Sequence, residues 1–210
     1  WDLIGAGGGD VTGRIKVSIA TYVNDIAASA SLTGNVTVTL TNTTDSTTVE
    51  TKTWNGSDIT FTKLTPLKDY RVTVEDKTGW LRNKSYEDIT NLGIGEEKTA
   101  SFTYSADEYT CSVSGTADGR IVVSGTEYAN NAAFRVAKGT SITPTAKVVA
   151  NYVTPTPSIS GNTISATYVA YGVLTVVTTS NQDETGTPDA TIAAVSPTVK
   201  VGDAAAVTYS

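Results

Sequence analysis

Apolar residues recur at every second position along much of this chain. GRIKVSI sets Ile15, Val17 and Ile19 against Arg14, Lys16 and Ser18, and NVTVTL sets Val36, Val38 and Leu40 against Asn35, Thr37 and Thr39. EKTASFTYS places Ala100, Phe102 and Tyr104 on one face. A period of two sends neighbouring side chains to opposite sides of an extended backbone, so each segment offers one face to a core and one to water. Threonine and valine supply most of these positions, and β-branched side chains favour the pleated sheet. TVETKTW, DITFTKL and DYRVTVE continue the pattern, separated by turn chemistry at TNTTDS, Asn55-Gly56 and Thr65-Pro66. No stretch shows sustained helical periodicity, although VNDIAASAS, residues 23–31, has room for a helical turn. The predicted fold class is all-β, built of small antiparallel β-sandwich modules of immunoglobulin-like or prealbumin-like type.

A chain of 210 residues has room for one large β domain or for two or three small ones. FTKLTPLKDYRVTVEDKTGWL, residues 61–81, is echoed by FRVAKGTSITPTAKVVANY, residues 134–152. In that alignment Phe134 answers Phe61, Ile142 answers Tyr70 and Tyr152 answers Trp80, while Ala166 and Tyr168 answer Phe102 and Tyr104. The spacing predicts a sandwich over residues 12–105 and a second over 106–171, whose strands include YTCSVS, RIVVS, AAFRVA, ITPTAKVV and TISATYV. Residues 1–11 read as a glycine-rich anchor, and 172–210 as a partial third module or strand-exchange segment. An unfinished sandwich leaves an edge that pairs with another chain. Subunit contacts are therefore expected at Trp1, Leu3, Ile4, Val199, Val201, Val207 and Tyr209. Residues 1–104 hold 23 Asp, Glu, Lys and Arg and residues 105–210 hold 13, so the second half is the one expected to pack against neighbours.

The net charge of −6 and pI near 4.6 oppose binding to a phosphate backbone or an anionic membrane surface. No apolar run reaches the roughly 18 residues that span a bilayer, and no signal peptide is visible. The chain opens on Trp1 and contains no Met, which reads as a processed or partly built chain. Cys111 alternates with Tyr109 and Val113 and reads as a small core residue. Without histidine, Ser-His-Asp and Cys-His catalysis and histidine-based metal sites are excluded. The carboxylate pairs Glu75-Asp76, Glu87-Asp88, Glu96-Glu97 and Asp107-Glu108 are sequence neighbours, so on a strand their members face opposite ways rather than converge on a glycosidic bond. No catalytic residue and no cofactor is expected. NQDETGTPD offers Asp183, Glu184 and Asp189 as hard oxygen ligands for a cation, against the plainer reading of a hairpin turn. Trp54, Tyr70 and Trp80 are the candidates for stacking on sugar rings, with Trp54 exposed beside its turn and Trp80 the more usual core plug.

GRIKVSI, the stretch LTGNVTVTLTNTTDSTTVETKTWNGSDITFTKLTPLKDYRVTVEDKTGW and then KTASFTYS together resemble the PEGA-like and Cna-B-like β-sandwich repeats. NTTDSTT followed by TKTWNGS and YRVTV is similar to tandem modules in virion proteins of tailed phages, with related modules in bacterial surface adhesins. The resemblance implies a non-enzymatic structural protein of an extracellular assembly: a phage capsid decoration, head fibre or tail element, or alternatively an adhesin or pilin-like subunit binding host glycans. The implied partners are other subunits of the same assembly and cell-surface glycans. Cna-B-like pilin modules carry a Lys–Asn cross-link. Lys16 stands in the first strand, but the closing strand, Ser101 to Tyr104, has no Asn or Asp to receive it.

Overall fold

The computed structural model describes residues 11–28, 32, 36–173 and 198–200, and no helix occurs among them. The strands are β1 (Gly13–Val23), β2 (Ile26–Ala27), β3 (Val36–Asn42), β4 (Thr47–Trp54), β5 (Ile59–Leu64), β6 (Tyr70–Val74), β7 (Leu81–Arg82), β8 (Tyr86–Ile89) and β9 (Glu97–Ser114). They continue as β10 (Ile121–Val123), β11 (Thr126–Tyr128), β12 (Ala133–Ala137), β13 (Thr145–Ala146), β14 (Tyr152–Val153), β15 (Ser158–Ser160), β16 (Thr163–Thr167), β17 (Val169–Val173) and β18 (Thr198–Lys200). The chain divides into two compact units. One runs to Glu108 and takes in Phe134–Ser141; the other holds Tyr109–Ala133 and the chain from Ile142 onward.

The first unit is a sandwich. One sheet has the order β4-β3-β6-β8, all antiparallel. In the other, β1 pairs antiparallel with β5 and β2, and β9 pairs with β1 and β7. The period-two residues do what their spacing demands. Ile15, Val17, Phe61, Phe102 and Tyr104 from one sheet meet Val36, Val38, Leu40, Tyr70, Val72 and Val74 from the other in a single buried cluster. Their partners at odd steps, Thr37, Thr39, Thr41, Arg71 and Thr73, form the outer face. The seam between edge strands β4 and β5 is closed by Lys52. Its position on β4 is opposite Val38, its Nζ donates to the Thr60 carbonyl at 2.7 Å, and it lies 5.0 Å from the Phe61 ring centroid. A cation placed inward on an edge strand blocks pairing with another chain while its aliphatic stem covers apolar surface.

In the second unit, residues Thr110–Ser114 of β9 pair with β16, which also pairs with β15. β10 pairs with β11 and β13, and β17 with β14 and β18. Cys111, Val113, Ile121, Val123, Ile164, Ala166 and Tyr168 are its buried side chains. The Tyr168 hydroxyl donates to the Lys147 carbonyl at 2.7 Å and accepts from the Arg120 N–H at 3.3 Å. Gly115 sits so close to the Tyr168 backbone that a Cβ there would lie 1.9 Å from its carbonyl oxygen, and Gly119 abuts the Tyr168 ring.

Five expectations change. The boundary expected between 105 and 106 falls inside β9, whose alternation of buried residues runs on through Cys111 and Val113. AAFRVA, expected as a strand of the second module, lies mostly outside that unit: Phe134–Ser141 belongs to the first, where Arg135 and Lys138 find carboxylates. The sequence echo is an echo in packing only at its end: Ala166 and Tyr168 are buried like Phe102 and Tyr104, whereas Phe134, Ile142 and Tyr152 are only half-buried where Phe61, Tyr70 and Trp80 are core residues. ITPTAKVV gives no more than the two-residue β13, because Pro144 has no N–H for a ladder, and Val148 is left exposed. In VNDIAASAS, residues 23–28 make a two-residue hairpin instead of a helical turn, and 29–31 lie outside the described residues. Asn24 and Asp25 take φ of 51° and 66°, a conformation these side chains tolerate, and β2 folds back on β1.

Candidate functional site

The feature of the first unit that departs from an all-antiparallel sandwich is the pairing of β1 with β9. β1 and β9 run parallel and in unbroken register through ten residue pairs, from Arg14↔Glu97 to Val23↔Ala106. The ladder is fastened at both ends. The Arg14 N–H donates to the Glu96 carbonyl at 2.8 Å, and the Asn24 N–H to the Ala106 carbonyl at 3.0 Å. The Asn24 side chain then clasps Glu108, accepting from its N–H at 2.9 Å and donating to its carbonyl at 3.3 Å.

Both strands are also held on their outer flanks. Lys16 and Asp58 form an ion pair of 2.8 Å that ties β1 to the start of β5; the shared hydrogen bond raises the Lys16 ammonium and lowers the Asp58 carboxyl. On the far side of β9, the Thr103 N–H donates to Asn83 Oδ1 and the Asn83 N–H to the Thr103 carbonyl, both at 2.9 Å. The Tyr104 hydroxyl reaches across the sandwich to the Glu75 carbonyl, and burial pushes its phenol up to about 12. Thr21, a buried polar residue of β1, donates to the Ala28 carbonyl at 2.6 Å. The arrangement joins β1, the first described strand of this unit, to β9, the strand that continues into the second unit.

Seven of the eight paired carboxylates singled out from the sequence are spent on bracing. Glu75 accepts from the Thr37 N–H at 2.9 Å and pairs with Lys77 at 2.5 Å, which lowers its carboxyl. Asp76 pairs with Arg82, Asp88 with Arg71 in a two-pronged contact, and Glu87 with Lys84 and the Ser101 N–H. Glu96 caps the Gly93 N–H, Asp107 accepts from the Gly139 N–H, and Glu108 pairs with Arg135. Among the described residues no cluster of three metal-ligating side chains occurs.

The expected sugar-stacking set is corrected. Trp54 is 3% exposed, Tyr70 2% and Trp80 7%, so none presents a ring face to solvent. Trp54 stands at the inward-facing end of β4 opposite Val36, where its size fills the sandwich mouth rather than its turn. Cys111 is buried and free, as its alternation implied. Asp183, Glu184, Asp189, Trp1, Leu3, Ile4, Val201, Val207 and Tyr209 lie outside the described residues; Val199 stands on β18 opposite Gly172. Both β1 and β9 were legible as strands, but their partnership was not, because alternation is blind to which strand lies alongside which. The Asn24-Asp25 dipeptide at the end of an alternating run was the local signal of the fastening.

No protein family matches the chain, and no curated protein does. Among solved structures, the fold is similar to the shaft pilin SpaA from Lactobacillus rhamnosus GG (12% identity, TM-score 0.38, covering 78% of this chain and 100% of that one). It is also similar to the pilus-presented adhesin Spy0125 (Cpa) (16%, TM-score 0.33, 46% and 27%) and to the full-length major pilin RrgB from Streptococcus pneumoniae (13%, TM-score 0.35, 55% and 22%). The chain spans about a quarter of the length of the latter two. At these scores the likenesses carry no argument about activity, and what stands is the all-β sandwich architecture itself.

Proposed function

We propose that this protein is a non-enzymatic, load-bearing structural module of an extracellular surface assembly, of the kind that builds a pilin-like shaft or an adhesin stalk, with other subunits of that assembly as its partners. The observation behind this reading is the ten-pair parallel ladder between β1 and β9. Two adjacent parallel strands have their starts at one end and their finishes at the other. Tension applied to the chain before Gly13 and after Ala106 therefore acts along both strands in opposite senses. Every ladder bond is then strained at once, in shear, instead of opening one after another. A single backbone hydrogen bond contributes only about 0.5–1.5 kcal/mol net, so simultaneous loading is what turns a modest ladder into a mechanical clamp. Forced unfolding is governed by the unfolding barrier, which such a clamp raises. The second unit repeats the device on a smaller scale, with Thr110–Ser114 parallel to Thr163–Thr167. The resemblance to surface-protein sandwiches supports an extracellular setting. No observation favours a virion over a cell-surface appendage, and glycan binding loses its aromatic platform with the burial of Trp54, Tyr70 and Trp80.

Single-molecule pulling tests the reading directly. Handles at Thr12 and Asp107 load the ladder in shear, whereas handles at Ile26 and Asp107 sit at the same end of the two strands and unzip it. The shear geometry is expected to rupture at a force several-fold higher. Equal forces in the two geometries would remove the mechanical argument.

A further inference from the structure

The connection between β4 and β5 is anchored at both ends. Trp54 before it is buried, and Asp58 at its close pairs with Lys16 at 2.8 Å. Between these anchors Asn55, Gly56 and Ser57 are exposed and belong to no strand. Gly56 has φ of 110°, and a Cβ added to it would meet nothing within 4 Å. Neither the Asn55 side chain nor the Gly56 N–H makes a hydrogen bond to another described residue. An asparagine amide and the next backbone nitrogen are thus left free to meet, and glycine puts no side chain in the way of that nitrogen.

Every other asparagine of the chain is followed by a residue with a side chain. Four of them are also held through their amides, Asn24 on Glu108, Asn42 on Asp45, Asn83 on the Thr103 N–H and Asn130 on the Val113 N–H. Asp118-Gly119 has the same sequence chemistry as Asn55-Gly56 but not the same freedom. The Gly119 N–H donates to the Thr116 carbonyl at 3.4 Å, and a Cβ there would lie 2.6 Å from the Tyr168 ring. Its nitrogen cannot turn onto the Asp118 carboxyl while that packing holds.

We infer that Asn55 is a site of self-modification, where the folded chain deamidates itself. The Gly56 nitrogen attacks Asn55 Cγ and a C–N bond forms. The side-chain amide leaves as ammonia, taking up the proton that the Gly56 nitrogen gives up, and a succinimide ring remains. Water then opens the ring at either carbonyl. One opening leaves an aspartate at position 55; the other leaves an isoaspartate, with the main chain running through the former side-chain carbon. Water is the only co-reactant. Either product lowers the formal net charge of −6 by one unit, and the isoaspartate adds a backbone atom between the anchors at Trp54 and Asp58. The loss of ammonia is not reversed, so the fraction converted records the age of the folded chain. The inference does not depend on the load-bearing reading.

Peptide mapping of the full chain by mass spectrometry decides it, after incubation in mildly alkaline, ammonia-free buffer with and without guanidinium chloride. Conversion at Asn55 is read from the mass gained when an amide becomes a carboxyl, and isomerisation at Asp118 from a shifted retention at unchanged mass. Folding should leave the Asn55 rate within about three-fold of its value in denaturant and slow Asp118 by roughly ten-fold or more, since a packed backbone reacts only through local opening. Asn55→Gln, whose longer side chain closes the ring poorly, should abolish conversion in the peptide spanning residues 53–63, with circular dichroism and Tm unchanged. Folding that protects Asn55 as strongly as Asp118, or that leaves Asp118 unprotected, overturns the inference. So does an equal pace at any other asparagine of the folded chain, or a mass gain in that peptide that survives Asn55→Gln.

Discussion

Two tyrosines of the first unit act as staples between core and backbone. Tyr70 donates to the Thr65 carbonyl five residues upstream at 2.9 Å, fixing the loop that carries Leu67, and Tyr104 donates to the Glu75 carbonyl across the sandwich. Burial raises both phenols, Tyr104 to about 12. A phenol raised in the folded state stays protonated where the unfolded chain has begun to ionise. Its stabilising contribution is therefore whole below the ordinary tyrosine value near 10 and is lost as pH climbs toward 12. For Tyr104 the loss across that interval is on the order of 2 kcal/mol. Tyr104→Phe should cost about 1 kcal/mol at pH 7, from the missing donor and the stranded Glu75 carbonyl. It should also flatten the decline above pH 10 relative to the unaltered protein. Urea titrations at intervals from pH 7 to pH 12 compare the two directly; parallel decline in both would mean that Tyr104 does not titrate with unfolding.

Among the elements, β12 and the turn after it carry the largest departure from expectation. This short segment is drawn from between two stretches of the second unit, yet it lies on the first. Arg135 Nε meets Glu108 Oε2 at 2.7 Å and its guanidinium lies 5.8 Å from the Trp80 ring centroid. Lys138 pairs with Asp25, and its N–H donates to the Ser105 carbonyl. Asp107 receives the Gly139 N–H. A half-buried pair of this kind is worth on the order of 1 kcal/mol, and two like charges in its place cost a similar amount. Arg135→Glu should therefore destabilise the first unit by about 1–2 kcal/mol and alter the emission of Trp80. Glu108→Arg added to it should recover most of the loss, and a denaturation cycle over the four combinations measures the coupling. Additive effects would show that the ion pair is incidental. AAFRVA was legible as a strand, and its alternation correctly marked it as extended. Its destination was not, because complementary charges at Asp25, Asp107 and Glu108 are separated from it by up to 113 residues of sequence. The same distinction holds elsewhere. Val36, Val38, Leu40, Val72 and Val74 announced their buried face through period alone, whereas Trp54 was misplaced because a neighbouring turn says nothing about which way a strand's last residue points.

At the scale of the molecule, the described residues gather around two cores. Among them, twenty-one buried apolar side chains cluster in the first unit and seven are buried in the second. β9 serves both, giving Ala100, Phe102, Tyr104 and Ala106 to one and Cys111 and Val113 to the other. Apolar burial stabilises at about 25 cal/mol per Å², so each core should open at a free energy set by its own buried surface. Cys111 is a built-in reporter of opening in the second. It is fully buried, burial pushes its thiol up, and a disulfide reagent can reach it only when the second unit opens. Ile164 stands directly beside it in the parallel register. Ile164→Ala removes buried methylenes at a cost of about 2–5 kcal/mol, which should speed thiol labelling roughly 30-fold or more where opening limits access. Leu40→Ala makes a comparable cavity in the first core and should leave the labelling rate within about three-fold. The comparison needs only the two variants and a colorimetric thiol reagent under native conditions. If both substitutions accelerate labelling alike, the two cores open as one, and the division of the chain into separately stabilised units is wrong.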